Sequence, residues 1–147
     1  MIIYDSSGSM WGSLGNESKY EVAARSFNRM IDRFVTDNLD LSLGLTVFGH
    51  RVKGYCGDIE QVIKPRSLDD EAHRRTMKEV VGELRPKGIT PIADALLFAA
   101  EALKYTEQRA TVLLISDGIE ECEKDPCNQA KRLEELGIAF TAHVVGF

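Results

Sequence analysis

The chain lacks any apolar run long enough to span a bilayer: its longest candidates, residues 111–115 and 92–103, are short or interrupted. Nothing near its start reads as a signal peptide. The first residues already read as strand, however, so the chain is expected to be a fragment of a longer protein, and a missing leader carries no weight. Basic residues are outnumbered, 18 Lys and Arg against 23 Asp and Glu, and they form no cluster. A net charge of -5 with no basic patch argues against a nucleic-acid partner and against an anionic membrane surface. No phosphate-cradling Gly-x-x-x-x-Gly-Lys-Ser/Thr loop occurs, nor a Gly-x-Ser-x-Gly nucleophile elbow. Histidine is scarce too. His50 follows a strand end, His73 sits in a charged helical stretch and His143 in a strand, none with a Cys or His at metal-ligand spacing. What remains, 44% hydrophobic and 28% charged over 147 residues, suits one well-buried domain spanning residues 1–147.

The most informative stretch is Asp5-Ser6-Ser7-Gly8-Ser9, which directly follows the apolar run Ile2-Ile3-Tyr4. A strand here delivers an acid and two hydroxyls at alternate positions into a loop, where residues i, i+2 and i+4 can converge on one hard cation. Asp5, Ser7 and Ser9 are therefore a candidate metal half-site. Alone the pattern is weak, since a Ser/Gly turn reads the same way. Its weight depends on other oxygen ligands reaching the same end of the same sheet.

Periodicity places the rest of the chain. Ser18-Lys19-Tyr20-Glu21 reads as a capping box, and Ala23, Phe27, Met30, Ile31 and Phe34 give the following helix one apolar face. Leu41, Leu43, Leu45 and Val47 alternate with small polar residues, a strand ending at Phe48-Gly49. The short return to Ile59–Ile63, closed by Pro65, leaves room only for an antiparallel edge strand. A second helix is expected from Ser67, with Met77, Val80, Val81 and Leu84 inward, and a third from Thr90 as N-cap with Pro91 at its first position. That third helix, Ile92 to Leu103, is nearly apolar and should be the most buried. The continuous apolar run Thr111 to Ile115 suits a central parallel strand and delivers Ser116-Asp117-Gly118. Asp125-Pro126 opens a helix that Gly137 stops, and Ile138 to Val145 forms the last strand.

This alternation predicts an α/β fold, a doubly wound, open, mostly parallel sheet with helices on both faces and one antiparallel edge hairpin strand. The expected order is 3-2-1-4-5. Ligands in such sheets bind at the carboxyl ends where the order reverses, here between the first and fourth strands, which carry Asp5 and Asp117. The loop with Thr90 closes over the same edge.

Taken together, Asp5-x-Ser7-x-Ser9, Thr90 in a Gly-x-Thr-Pro setting and Ser116-Asp117-Gly118 resemble the von Willebrand factor A domain, bacterial type, with its metal-ion-dependent adhesion site. The resemblance covers essentially the whole chain. It implies a Rossmann-like fold and a Mg²⁺ site, with Mn²⁺ or Ca²⁺ as substitutes, in which Ser7 and Ser9 contact the metal, Thr90 joins when a ligand is engaged, and Asp5 and Asp117 act through water. It further implies a protein partner that presents an Asp or Glu carboxylate, an adhesion role rather than catalysis, no membrane insertion, and an extracytoplasmic location. The family's usual sixth strand and closing helix have no counterpart before Gly146-Phe147.

Two readings stand beside this one. A phosphoesterase of the haloacid-dehalogenase type would use Asp5 as nucleophile, but it needs an acid two residues on, where this chain has Ser7. Thr90 and Asp117, each taken singly, are also ordinary cap and turn residues. Three cysteines leave one over, and the short separation favours a Cys122–Cys127 bridge with Cys56 free or paired elsewhere, against three reduced thiols. Loops around Trp11, His50-Arg51 and Glu120 to Glu123 are expected to rim the site, the glutamates as a solvated acidic face or as tuners of the partner's charge.

Overall fold

The computed structural model describes residues 1–146, so Phe147, at which the reading above ends, lies outside them. The strands are β1 (Ile2–Asp5), β2 (Ser13–Leu14), β3 (Glu17–Ser18), β4 (Ser42–Phe48), β5 (Ile59–Ser67), β6 (Ala110–Ser116) and β7 (Phe140–Gly146). The helices are α1 (Lys19–Thr36), α2 (Glu71–Glu83), α3 (Ile92–Ala102) and α4 (Pro126–Leu136). Five strands form one sheet in the order β5-β4-β1-β6-β7, parallel throughout except for the β4–β5 edge pair. That is the order expected from the sequence. The small β2–β3 hairpin lies in the loop between β1 and α1 and was not foreseen.

Alternation along the strands sends side chains to two cores. Ile2, Tyr4, Leu45, Val47 and Ile115 face α1 and α2, meeting Phe27, Ile31, Met77 and Val81. Ile3, Phe48, Val112 and Leu114 face the other way, onto Leu96 and Ala99 of α3 and Leu133 of α4. Because β1 is buried on both faces at the centre of the sheet, its register against β4 and β6 is fixed from both sides. Asp5, its last residue, is thereby placed beside the end of β6.

Local chemistry sets the helix starts. Ser18 and Glu21 form the reciprocal capping box of α1, and Asp125 caps α4 with Pro126 at its first position. Two expected starts shift. α2 begins at Glu71, because the Asp70 carboxylate accepts from the N–H groups of Ala72 and His73, while the Ser67 hydroxyl is used in the preceding turn by Asp69 N–H. α3 begins at Ile92, after Pro91, and Thr90 does not cap it. Pro65 does not end β5, which runs on to Ser67. On an edge strand a missing N–H need not break the ladder, and register irregularities opposite Leu43 to Thr46 absorb the misfit. His73 faces inward, its Nε2 2.8 Å from the carbonyl oxygen of Leu43.

The cysteine pairing differs from expectation. The bridge is Cys56–Cys122, with Cα atoms 5.9 Å apart, and Cys127 is free and exposed. Sequence separation misleads here because two distant loops fold over α3: Cys56 shares a shallow cleft with Asp94 and Leu97, and Glu120, two residues before Cys122, accepts from Ala93 N–H. Cys127 is instead carried off on the first turn of α4.

Candidate functional site

Three loops meet at the carboxyl ends of β1 and β6. The first, after β1, turns back at once: Asp5 Oδ1 accepts from Ser7 N–H at 2.7 Å, and Oδ2 accepts from the Ser116 hydroxyl at 2.5 Å. Asp5 is thus spent on fixing two loops, and burial pushes its carboxyl above the ordinary range against the pull of those hydrogen bonds. Ser7 Oγ lies 2.9 Å from Ser9 Oγ, and Ser9 donates to Asp117 Oδ1 at 2.8 Å. The two serines and Asp117 therefore form one continuous chain of oxygens across the strand ends.

The second loop, between α2 and α3, is stitched on through its backbone. Lys87 N–H donates to Ser6 O, Gly88 N–H to Gly49 O and Gly8 N–H to Gly88 O, at 3.0, 2.7 and 2.9 Å. This approach requires glycine at position 88, where a Cβ would sit 2.7 Å from the Cα of Gly49. The stitching carries Thr90 to the cleft. Its hydroxyl donates to Glu121 Oε2 at 2.9 Å, and the same oxygen accepts from Thr90 N–H at 3.0 Å.

The third loop follows β6. Asp117 points inward with a fully buried side chain, and its second oxygen is held 2.6 Å from the ammonium of Lys19. Lys19 was not singled out from the sequence, where it reads as one more surface cation of a helix's first turn. Lys19 is the first residue of α1, directly after the Ser18 cap, and from there its side chain reaches Asp117. Glu120 and Glu121 are not free anions either: Glu120 accepts from the N–H groups of Ala93 and Cys122, both at 2.8 Å.

Asp5, Ser7, Ser9, Thr90 and Asp117 are all brought to this one corner. Ser9, Thr90 and Asp117 line an open cleft of about 560 Å³, together with Lys19, Lys53 and Lys87. The expected rim is partly corrected, since Lys53-Gly54 form the wall from the β4–β5 loop. Arg51 turns away to ion pairs with Asp58 and Glu60, and His50 faces Glu60. Trp11 stays outside the cleft lining, with Nε1 donating to Pro86 O at 2.8 Å.

The residues present suit a hard divalent cation. Hydroxyls and carboxylates supply the donors, and no His or Cys is among the described residues lining the cleft. Gly118 completes the cradle: a Cβ there would lie 3.3 Å from Thr90 Oγ1 and 3.7 Å from Ser9 Oγ, intruding between the two hydroxyls.

A family profile for the von Willebrand factor type A domain matches residues 1–120. The chain is a von Willebrand factor type A domain. Among curated proteins, the uncharacterized protein YwmD of Bacillus subtilis (strain 168) is similar, 27% identical over 99% of this chain, which spans only 66% of YwmD. Two solved structures share the A-domain fold. Proximal thread matrix protein 1 of the mussel byssus, described with a zinc-occupied metal-ion-dependent adhesion site (MIDAS) motif, matches 99% of this chain and 34% of its own at 20% identity and a TM-score of 0.68. The pilus adhesin SpaC of Lactobacillus rhamnosus GG matches 81% of this chain and 14% of its own at 18% identity and 0.63. A domains generally mediate protein interactions rather than catalysis.

Proposed function

We propose that this A domain is a divalent-metal-dependent protein-binding module, part of a longer protein, whose ion is held by Ser7, Ser9 and Thr90 with Asp5 and Asp117 behind them. The observation that carries the reading is the unbroken oxygen chain Ser7, Ser9, Asp117 beside Thr90, assembled from three loops in one cleft. Mg²⁺, or Mn²⁺, suits this all-oxygen set better than Zn²⁺, although the byssus protein's site is described as holding zinc. A cation so held is under-neutralised by its hydroxyl ligands and offers a Lewis-acidic position to a carboxylate of a partner protein. Glu121, by accepting the hydrogen bond that the Thr90 hydroxyl donates, fixes the direction of the O–H and leaves that oxygen's lone pairs available to the ion. The Cys56–Cys122 bridge supports a location in an oxidising, extracytoplasmic compartment.

Calorimetry tests the site: one Mg²⁺ or Mn²⁺ per chain, lost in Asp5→Ala and weakened in Ser9→Ala. Because Asp5→Ala removes two buried hydrogen bonds, the milder Ser9→Ala, whose fold a melting curve can check, decides the matter. Wild-type affinity in Ser9→Ala would overturn the ligand assignment.

A further inference from the structure

The charge left open around the cleft points to a more specific partner than any single carboxylate. The acids that line it are internally consumed: Asp117 by Lys19, Glu121 by Thr90, and Glu120 by two backbone N–H groups. Lys53 and Lys87 are different. Both line the same cleft, both are exposed, and neither joins an ion pair among the described residues. The lining thus sets three lysines against three acids, and among its cations Lys53, on the β4–β5 loop, and Lys87, on the α2–α3 loop, are the two with no acidic partner among the described residues. An apolar surface adjoins them: Ile119, 85% exposed, lines the cleft, and Val52, also exposed, precedes Lys53.

Unpaired lysines beside a carboxylate-accepting centre favour a ligand with further negative charge nearby and penalise a basic one. The bridge between Cys56 and Cys122 ties the loop that carries Lys53 to the loop that carries Ile119, so the spacing of these two loops is set before any partner arrives.

We infer that the cleft is a docking surface for an extended acidic protein segment, in which one carboxylate goes to the metal position, a second acid engages Lys53 and Lys87, and an adjoining aliphatic side chain covers Ile119 and Val52. This rests on the metal-and-carboxylate reading above and adds the second acid to it.

The test is panning of a random peptide library displayed on phage against the immobilised full chain in Mg²⁺. Retained peptides should carry paired Asp or Glu residues with an aliphatic neighbour and should be released by EDTA. Against a Lys53→Glu, Lys87→Glu double variant, whose melting curve reports that it folds, the paired-acid peptides should be retained roughly tenfold less well. Metal-dependent peptides with a single acid, or retention unchanged by the double charge reversal, would overturn the inference while leaving the carboxylate reading standing. Retention insensitive to EDTA would instead overturn the carboxylate reading itself. Failure to retain any peptide above the bare support overturns the acidic-segment inference.

Discussion

At the scale of single residues, the least expected feature is that a cation already stands at Asp117. The Lys19 ammonium, 2.6 Å from a fully buried carboxylate oxygen, supplies the charge that a metal would otherwise supply there. Competition follows: Lys19→Met should tighten Mg²⁺ binding by about fivefold to tenfold, the equivalent of about 1 kcal/mol for a partly exposed pair. Calorimetric titration of the variant checks this, and weaker binding would mean that Lys19 supports the occupied site instead. Asp58 plays a comparable part in the β4–β5 loop. Its burial would push its carboxyl up, but N–H groups of Val52 and Arg51 and the Arg51 guanidinium outweigh that and hold it below the ordinary range. A carboxyl whose folded pKa is depressed contributes stability that is present above its unfolded value, about 3.9, and is lost as pH falls through the folded one. Acid titration of the wild type should therefore show a loss of stability below about pH 4 that Asp58→Asn lacks, at a cost of about 2 kcal/mol at neutral pH. Equal acid slopes in the two proteins would contradict the assignment. The sequence shows the candidate oxygen residues Asp5, Ser7 and Ser9 plainly, since alternation after an apolar run is a local pattern. It hides Lys19 and Asp58, because what makes them special is a partner 98 and 7 residues away, respectively.

Secondary-structure elements were legible wherever periodicity and caps agreed, as at α1 and α4, and slipped where two capping residues competed, as between Ser67 and Asp70. The antiparallel edge could be read from loop length alone, but its extent could not, because a proline on an edge strand costs no ladder hydrogen bond that the sheet requires. Cysteine pairing was not legible at all. It depends on which loops fold over α3, a tertiary fact, and the nearest pair in sequence was the wrong one. The observed bridge spans 66 residues, and closing such a loop removes about 4 kcal/mol of unfolded-chain entropy on a chain-entropy estimate. Cys56→Ser should lower stability by an amount of that order in denaturant titration, whereas Cys127→Ser should leave it nearly unchanged. Non-reducing peptide mapping that recovers Cys122 joined to Cys127 would contradict the pairing outright. The bridge also matters to Thr90, since Cys122 follows directly on Glu121, the residue that holds the Thr90 hydroxyl.

On the scale of the whole molecule, the site lies where the two cores meet. β1 and β6 send side chains to both, the α1 end contributes Lys19 from one side of the sheet, and the loop into α3 contributes Thr90 from the other. This convergence was foreseeable from strand order, because a sheet that reverses between its first and fourth strands must open its crevice beside Asp5 and Asp117. An ion held as proposed, by residues of three loops, can bind only when all of them are folded, so its free energy would add to global stability and not to one loop's. At a Mg²⁺ concentration a hundredfold above its dissociation constant the gain is about 2.7 kcal/mol, or roughly 5–10 °C in melting temperature for a chain of this size. The transition should move as a single step and return on addition of EDTA. Ser9→Ala should melt near the wild-type temperature without metal, since it loses one partly exposed hydrogen-bonded hydroxyl, and should gain much less from Mg²⁺. If wild type and Ser9→Ala shift equally, the ion binds elsewhere on this acidic chain. If neither shifts at millimolar Mg²⁺, Lys19 is the only cation the Asp117 pocket holds under those conditions, and Lys19→Met becomes the variant in which the metal-dependent shift must emerge if the oxygen cluster is a metal site.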